Sequence, residues 1–176
     1  MSIREVIPVA DLDWRFEPPP PWLDRWEPDW EFEAPEGGSV ALLLVDEQQH
    51  VPTHSISNRI VRRLLSPAAI QSFGQVEIPF DPKTRRLRIH DLVVWRKDDS
   101  GDWKSRSVAN SVEFVVRKQE GQAERVSVVA RLDGLETGDA IDLSWTLEPL
   151  ESPPELPFTT FHGFVWSVPC GVTHFT

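Results

Sequence analysis

Residues 140–148 read Ala-Ile-Asp-Leu-Ser-Trp-Thr-Leu-Glu, which puts Ile141, Leu143, Trp145 and Leu147 on one side of an extended chain and Asp142, Ser144, Thr146 and Glu148 on the other. A period of two cannot make one apolar stripe on a helix, so this run predicts a strand with one face in the core and the other in water. The same period governs much of the chain. Val40, Leu42 and Leu44 alternate with Ala41, Leu43 and Val45, all apolar, which predicts a strand covered on both faces. Leu87, Ile89, Val93 and Trp95 are expected to share one face across Asp91, with Arg86, Arg88 and His90 on the other. Residues 54–65 set Ile60 and Leu64 against Val61 and Leu65 with Arg59, Arg62 and Arg63 interleaved, and further runs at 75–80, 112–117 and 126–132 repeat the pattern.

The breaks between runs carry turn chemistry. Asp81-Pro82-Lys83-Thr84 offers a capping aspartate and a proline corner, residues 98–102 (Asp-Asp-Ser-Gly-Asp) predict a hairpin before Trp103, and residues 133–139 form a compact turn ending Gly138-Asp139. The Gly121 segment reads as a loop, residues 149–157 as a proline-rich loop, and residues 159–176 as a last strand pair or one long bent strand. One helix stands out: Ser66 as N-cap, Pro67 at the first position and Gly74 to end it after two turns. Residues 14–36 place Trp14, Phe16, Trp22, Trp26, Trp30 and Phe32 among six prolines, and Pro28 denies that stretch a helix. The expected fold is therefore all-β: an antiparallel sandwich of about eight strands with one short helix at 39–176, and an extended Pro/Trp-rich arm at 1–38 packing on it.

A length of 176 residues supports one core without disulfides or metal. The formal charge of -10 repels a phosphate backbone and argues against nucleic acid as a partner. Ten of the 18 basic residues lie between Arg59 and Lys104, interleaved with apolar residues, which reads as a solvated sheet face. A single cysteine, Cys170, leaves the redox compartment unspecified, and the first residues hold no apolar run suited to a signal or a membrane span, so the chain reads as soluble.

Candidate chemistry is sparse. His50 and His54 have helical ligand spacing, but Pro52 separates them, and four residues along a strand is about 13 Å, too far for one metal. Cys170 with His174 or His162, and Asp139 or Glu155 as orienting acid, is the strongest nucleophile set, yet Ser-Val-Pro-Cys-Gly-Val at 167–172 reads as strand and turn rather than a helix start that would lower a thiol pKa. Glu36-Gly37-Gly38-Ser39 leads into a strand and lacks the lysine and helix of a phosphate loop. Paired acids such as Asp98-Asp99 sit in turns. No catalytic, cofactor or metal residues are expected. The binding alternative is an aromatic platform of Trp22, Trp26, Trp30 and Trp103.

Several segments in order resemble the bacterial domain of unknown function that precedes transglutaminase-like domains: EPPPPWL at 17–23, ALLLVDEQQHV at 41–51, RIVRRLLS at 59–66 with the helix after it, VEIPFDPKTRRLRIHDLVVWRKDD at 76–99, RLDGLETGDAIDLSWTLE at 131–148 and FVWSVPCGVTHF at 164–175. The resemblance implies a non-catalytic structural or interaction module of an exported or periplasmic protein, whose partner would be a transglutaminase-like protease or amidase core. It contributes no catalytic residues. Similar proteins continue past the WSVP strand, whereas this sequence ends at Thr176, which predicts an incomplete last edge open to pairing in a homodimer. Binding of a glycan or cell-wall peptide is the alternative function.

Overall fold

The computed structural model describes residues 12–107, 114–118, 126–151 and 168–176. Among them the chain forms β1 (Trp14–Phe16), β2 (Val40–His50), β3 (Ser55–Leu64), α1 (Pro67–Phe73), β4 (Gln75–Phe80), β5 (Arg85–Lys97), β6 (Trp103–Ser107), β7 (Phe114–Lys118), β8 (Val126–Arg131), β9 (Ala140–Pro149) and β10 (Cys170–Phe175). Seven strands make a large sheet in the order β1-β5-β9-β3-β2-β10, with β6 also on β5, and β4-β8-β7 make a small one. Among the described residues the fold is mostly β with one α-helix, as the alternation predicts.

The large sheet is mixed rather than antiparallel. β1 runs parallel to β5 and β10 parallel to β2, while the remaining ladders are antiparallel. Alternation dictates which face a residue takes but not which way the strand runs. Both parallel strands come from far along the chain, where no tight hairpin imposes direction.

Ser66 and Gly74 bound the helix, but not in the same manner. The Ser66 backbone is extended and its hydroxyl accepts from Ala69 N at 3.2 Å. Gly74 closes the helix at φ -65°, without a left-handed turn; a Cβ there would lie 2.7 Å from Ile70 O, so it is closeness that demands glycine. Asp81 holds the turn from the small sheet to the large one by accepting from Lys83 N at 2.9 Å. The 98–102 hairpin closes through Asp98 N to Asp102 O, with Gly101 at φ +88°.

The small sheet and α1 share one hydrophobic cluster with one face of the large sheet, built on Leu64, Val76, Ile78, Phe80, Leu87, Ile89, Val128 and Ile141 among others. The opposite face of the large sheet is covered too. Ala41, Leu43, Leu44, Val61 and Ala140 form a second cluster under Trp30, Phe32 and Ala34 of the N-terminal segment. This second layer corrects the expectation for β9: Asp142, Ser144 and Thr146, expected in water, are buried.

Bulges correct the phase of β5. Ile89 pairs with Trp145 but Asp91 with Ser144, so one extra residue intervenes. Beyond it Leu92 and Val94 take the core face, and Trp95 joins the cluster on the other side. The predicted Leu87-Ile89-Val93-Trp95 face is thus split, because a single inserted residue exchanges the two faces downstream. A like shift between Leu42 and Leu44 puts neighbours Leu43 and Leu44 in one cluster.

Candidate functional site

The sheet face under the N-terminal segment carries the densest set of ionisable side chains. β2 contributes Asp46 and Gln48, β3 contributes Ser57 and Arg59, and β9 contributes Asp142, Ser144 and Thr146, all buried. The ladders bring them side by side: Asp46 lies opposite Arg59, and Arg59 opposite Ser144.

Arg59 meets Asp142 as a two-pronged pair, Nε to Oδ1 at 3.0 Å and Nη2 to Oδ2 at 2.8 Å, and gives its third hydrogen bond to Trp26 O at 2.8 Å. Trp95 Nε1 adds a bond to Asp142 Oδ2 at 3.3 Å. Burial pushes the Arg59 pKa down, but the hydrogen bond and charge of Asp142 outweigh it and hold the guanidinium above its ordinary value. Arg88, at 1% exposure, donates to Asp13 Oδ1 at 2.7 Å and lies within 3.5 Å of Glu17 and 3.6 Å of Glu148. That hydrogen bond, opposed by partial desolvation and helped by the charges of Arg88, Arg86 and Arg15, holds the Asp13 carboxyl below the usual range. Arg59 and Arg88 correct the solvated-face expectation. Both guanidinium groups are themselves buried, Arg59 against buried Asp142 and Arg88 beneath the more exposed Asp13 and Glu17, because the acid-rich N-terminal segment lies across the basic strands.

Histidines complete this layer. His174 Nδ1 donates to Asp46 Oδ1 at 2.7 Å while its ring stacks on Trp26 at 4.1 Å. His90 Nδ1 donates to Glu17 O at 3.0 Å, and its Nε2 meets Thr146 Oγ1 at 2.7 Å. Gln48 clamps the Asp24 backbone, accepting from its N at 2.9 Å and donating to its O at 2.5 Å. A cavity of about 30 Å³ remains between Arg25, Asp46, Arg59, Asp91 and Ser144, room for a water or two.

Cys170 and His174, four residues apart on the same strand, are separated by about 13 Å at the ordinary strand rise of ~3.3 Å. The thiol meets Thr173 Oγ1 at 3.2 Å and Val172 O at 3.4 Å, and the imidazole is engaged by Asp46. Asp139 is bound by Arg96 at 2.7 Å and 2.8 Å. His162 and Glu155 lie outside the described residues, as do the Gly121 loop, most of the 149–157 loop and residues 159–167. His50 ends β2 and stacks on Trp22 at 4.9 Å, while His54 occupies a left-handed turn at φ 52°. Among the described residues no three His, Cys, Asp or Glu side chains gather as a metal site, and no helix is long and apolar enough to cross a membrane.

The four tryptophans of the aromatic platform are distributed over three places. Trp22 stacks on His50 and lines an open cavity of about 530 Å³ with Pro52, Arg86, Glu148 and Leu150. Trp26 is 44% exposed on His174. Trp30 and Trp103 pack together at 5.0 Å in the second cluster, and Trp103 also borders a cavity of about 370 Å³ at one end of the large sheet. The Arg59–Asp142, Arg88–Asp13 and His174–Asp46 pairs, each with at least one buried member, escaped the reading of the sequence. A usable signal was present: an acidic, proline-rich segment preceding arginine-rich strands.

No curated protein matches the chain. Among solved structures it is similar to the crystal structure of a "putative protease" from Parabacteroides distasonis, at 20% identity and a TM-score of 0.50 over 63% of this chain; the likeness is one of fold. The chain spans only 23% of that protein's length. Residues 52–170, from the turn after β2 to the start of β10, match the family model described as "Domain of Unknown Function with solved-structure structure", and the chain belongs to this family, DUF3857.

Proposed function

We propose that this chain is a non-catalytic interaction module, a β-sandwich that scaffolds a transglutaminase-like protease or amidase core or presents substrate to it. The observation that carries the reading is the use made of its ionisable side chains. Arg59, Arg88, Asp142, His90 and His174 are engaged in fastening the N-terminal segment to the sheet. The structural relative supports it as well, since the matched fold makes up 23% of a larger protein described as a "putative protease" and is one part among others there. The transglutaminase-like partner itself comes from the resemblance of the sequence segments.

The test has two arms. The purified chain is assayed for peptide and amide hydrolysis with a thiol-directed probe present, and titrated calorimetrically with a transglutaminase-like catalytic domain. Saturable binding without turnover is expected. Turnover abolished by Cys170→Ala overturns the non-catalytic reading, and absence of binding overturns the assigned partner.

A second reading, binding of a glycan or cell-wall peptide, is favoured by Trp22 on the wall of the open cavity beside Arg86 and Glu148. Titration with peptidoglycan fragments separates the two. Protection of tryptophan emission from acrylamide, lost in Trp22→Ala, selects this reading; unchanged quenching rejects it.

A further inference from the structure

The N-terminal segment is anchored at both ends and held lightly in between. At one end Leu12 and Trp14 pack on the larger cluster and Trp14–Phe16 pairs with β5. At the other Pro28 is buried, Asp29 N donates to Leu43 O at 3.1 Å, and Trp30, Phe32 and Ala34 cover the second cluster. From Glu17 to Glu27 no residue is buried, and residues 18–21, all proline, bring no N–H to the sheet. This middle stretch is tied down by the Gln48 clamp on the Asp24 backbone, by Arg59 Nη1 donating to Trp26 O, and by Arg25 Nη2 donating to Asp91 Oδ2 at 3.1 Å. Trp22 and Trp26 add their stacking on His50 and His174.

What the stretch covers is unlike an ordinary interior. Asp46, Gln48, Ser57, Arg59, Ser144 and Thr146 are polar, so water can take the place of the cover without reaching a hydrophobic core. Uncovering also returns solvent to the Arg59–Asp142 pair, whose burial carries a desolvation penalty. The fit is imperfect as well: the 30 Å³ cavity lies between Pro19, Leu23 and Arg25 of the segment and Ser57, Arg59 and Ser144 of the sheet. A void forfeits dispersion contacts along its walls.

We propose that residues 18–27 are a strap that lifts from the sheet while the rest of the fold stays intact, turning about its two anchored ends and uncovering a polar face centred on Ser57, Arg59 and Ser144. The module thereby has a covered and an uncovered state, each with its own surface. The strap opens in the isolated chain, whatever partner the module serves.

The experiment measures labelling of single cysteines in the native chain by a small aromatic disulfide, in a Cys170→Ser background. Ser57→Cys and Ser144→Cys lie under the strap, each exchanging only oxygen for sulfur, so that either serves if the other fails to fold; Val128→Cys lies in the core beneath the small sheet. Labelling through local opening is insensitive to urea below the transition, whereas labelling through global unfolding climbs with the slope of the equilibrium transition. Both strap sites should label about a hundredfold or more faster than Val128→Cys, still well below the rate of a free thiol, with little dependence on urea. Arg25→Gln should speed labelling at Ser57→Cys about twofold to fivefold, and Gln48→Met roughly tenfold or more. Ser66→Ala, which weakens α1 away from the strap, should speed Val128→Cys about fivefold and leave the strap sites unchanged. Equal rates and urea slopes at all three sites overturn the proposal, as does labelling of the strap sites at the free-thiol rate. It is overturned equally if neither Arg25→Gln nor Gln48→Met speeds Ser57→Cys, or if Ser66→Ala speeds all three sites alike.

Discussion

Asp142→Ala should be the most damaging single substitution on the covered face of the sheet. Asp142 is 1% exposed and receives two hydrogen bonds from Arg59, itself 8% exposed, plus one from Trp95. Removing the carboxylate leaves Arg59 charged and buried with only Trp26 O to accept from it. Breaking one side of such a pair costs about 3–5 kcal/mol, whereas replacing both sides with apolar residues of similar volume is often neutral. Urea denaturation should therefore show Asp142→Ala less stable by about 3–5 kcal/mol at unchanged slope, with a melting point lower by roughly 6–20 °C for a chain of this size. The double variant Arg59→Met/Asp142→Leu should recover most of that, ending within about 1 kcal/mol of the parent. The single and double variants define the coupling. A loss below about 1 kcal/mol in Asp142→Ala, or equal losses in both variants, would refute the inference that an uncompensated buried charge dominates here.

Three further outcomes follow from local geometry. Gly74→Ala should lose about 1–3 kcal/mol in the same denaturation assay, because its Cβ would press on Ile70 O, a backbone atom that cannot rotate aside. Ser66→Ala should lose about 1 kcal/mol by unpairing Ala69 N, while Ser66→Thr should retain most of the stability. Asp13 has a folded-state pKa below the 3.8 of free aspartate, so its contribution is complete above that value and fades as pH falls through the folded one. Asp13→Asn should accordingly lower stability at neutral pH and flatten its decline in acid, and an acid limb of unchanged steepness would count against the Arg88 pairing.

Elements defined by short-range chemistry were legible in the sequence. The 67–73 helix followed from Ser66 and Pro67, the 98–102 hairpin from its Asp and Gly residues, and the doubly buried β2 from its unbroken apolar run. What escaped depended on what lay across the sheet. The alternation in β9 was correct, but its polar face was assigned to water because nothing in residues 140–149 reveals that the N-terminal segment covers it. The β5 bulge was invisible because His90 is as acceptable in a regular strand as in a bulged one, yet that one residue moved Trp95 to the other face. Arg63 and Trp103 were read separately, as a strand cation and an indole, and only the folded chain brings them to one cavity.

β1 and β10 occupy opposite edges of the large sheet, with four strands between them. Five interstrand steps of ~4.8 Å set these strands about 24 Å apart. The domain is thus a ruler as well as a fold: anything tethered through β1 is held a sheet's width from anything tethered through β10. Joining the two strands directly would take a connector of at least about seven extended residues, so a short linker between them would have to peel one edge away.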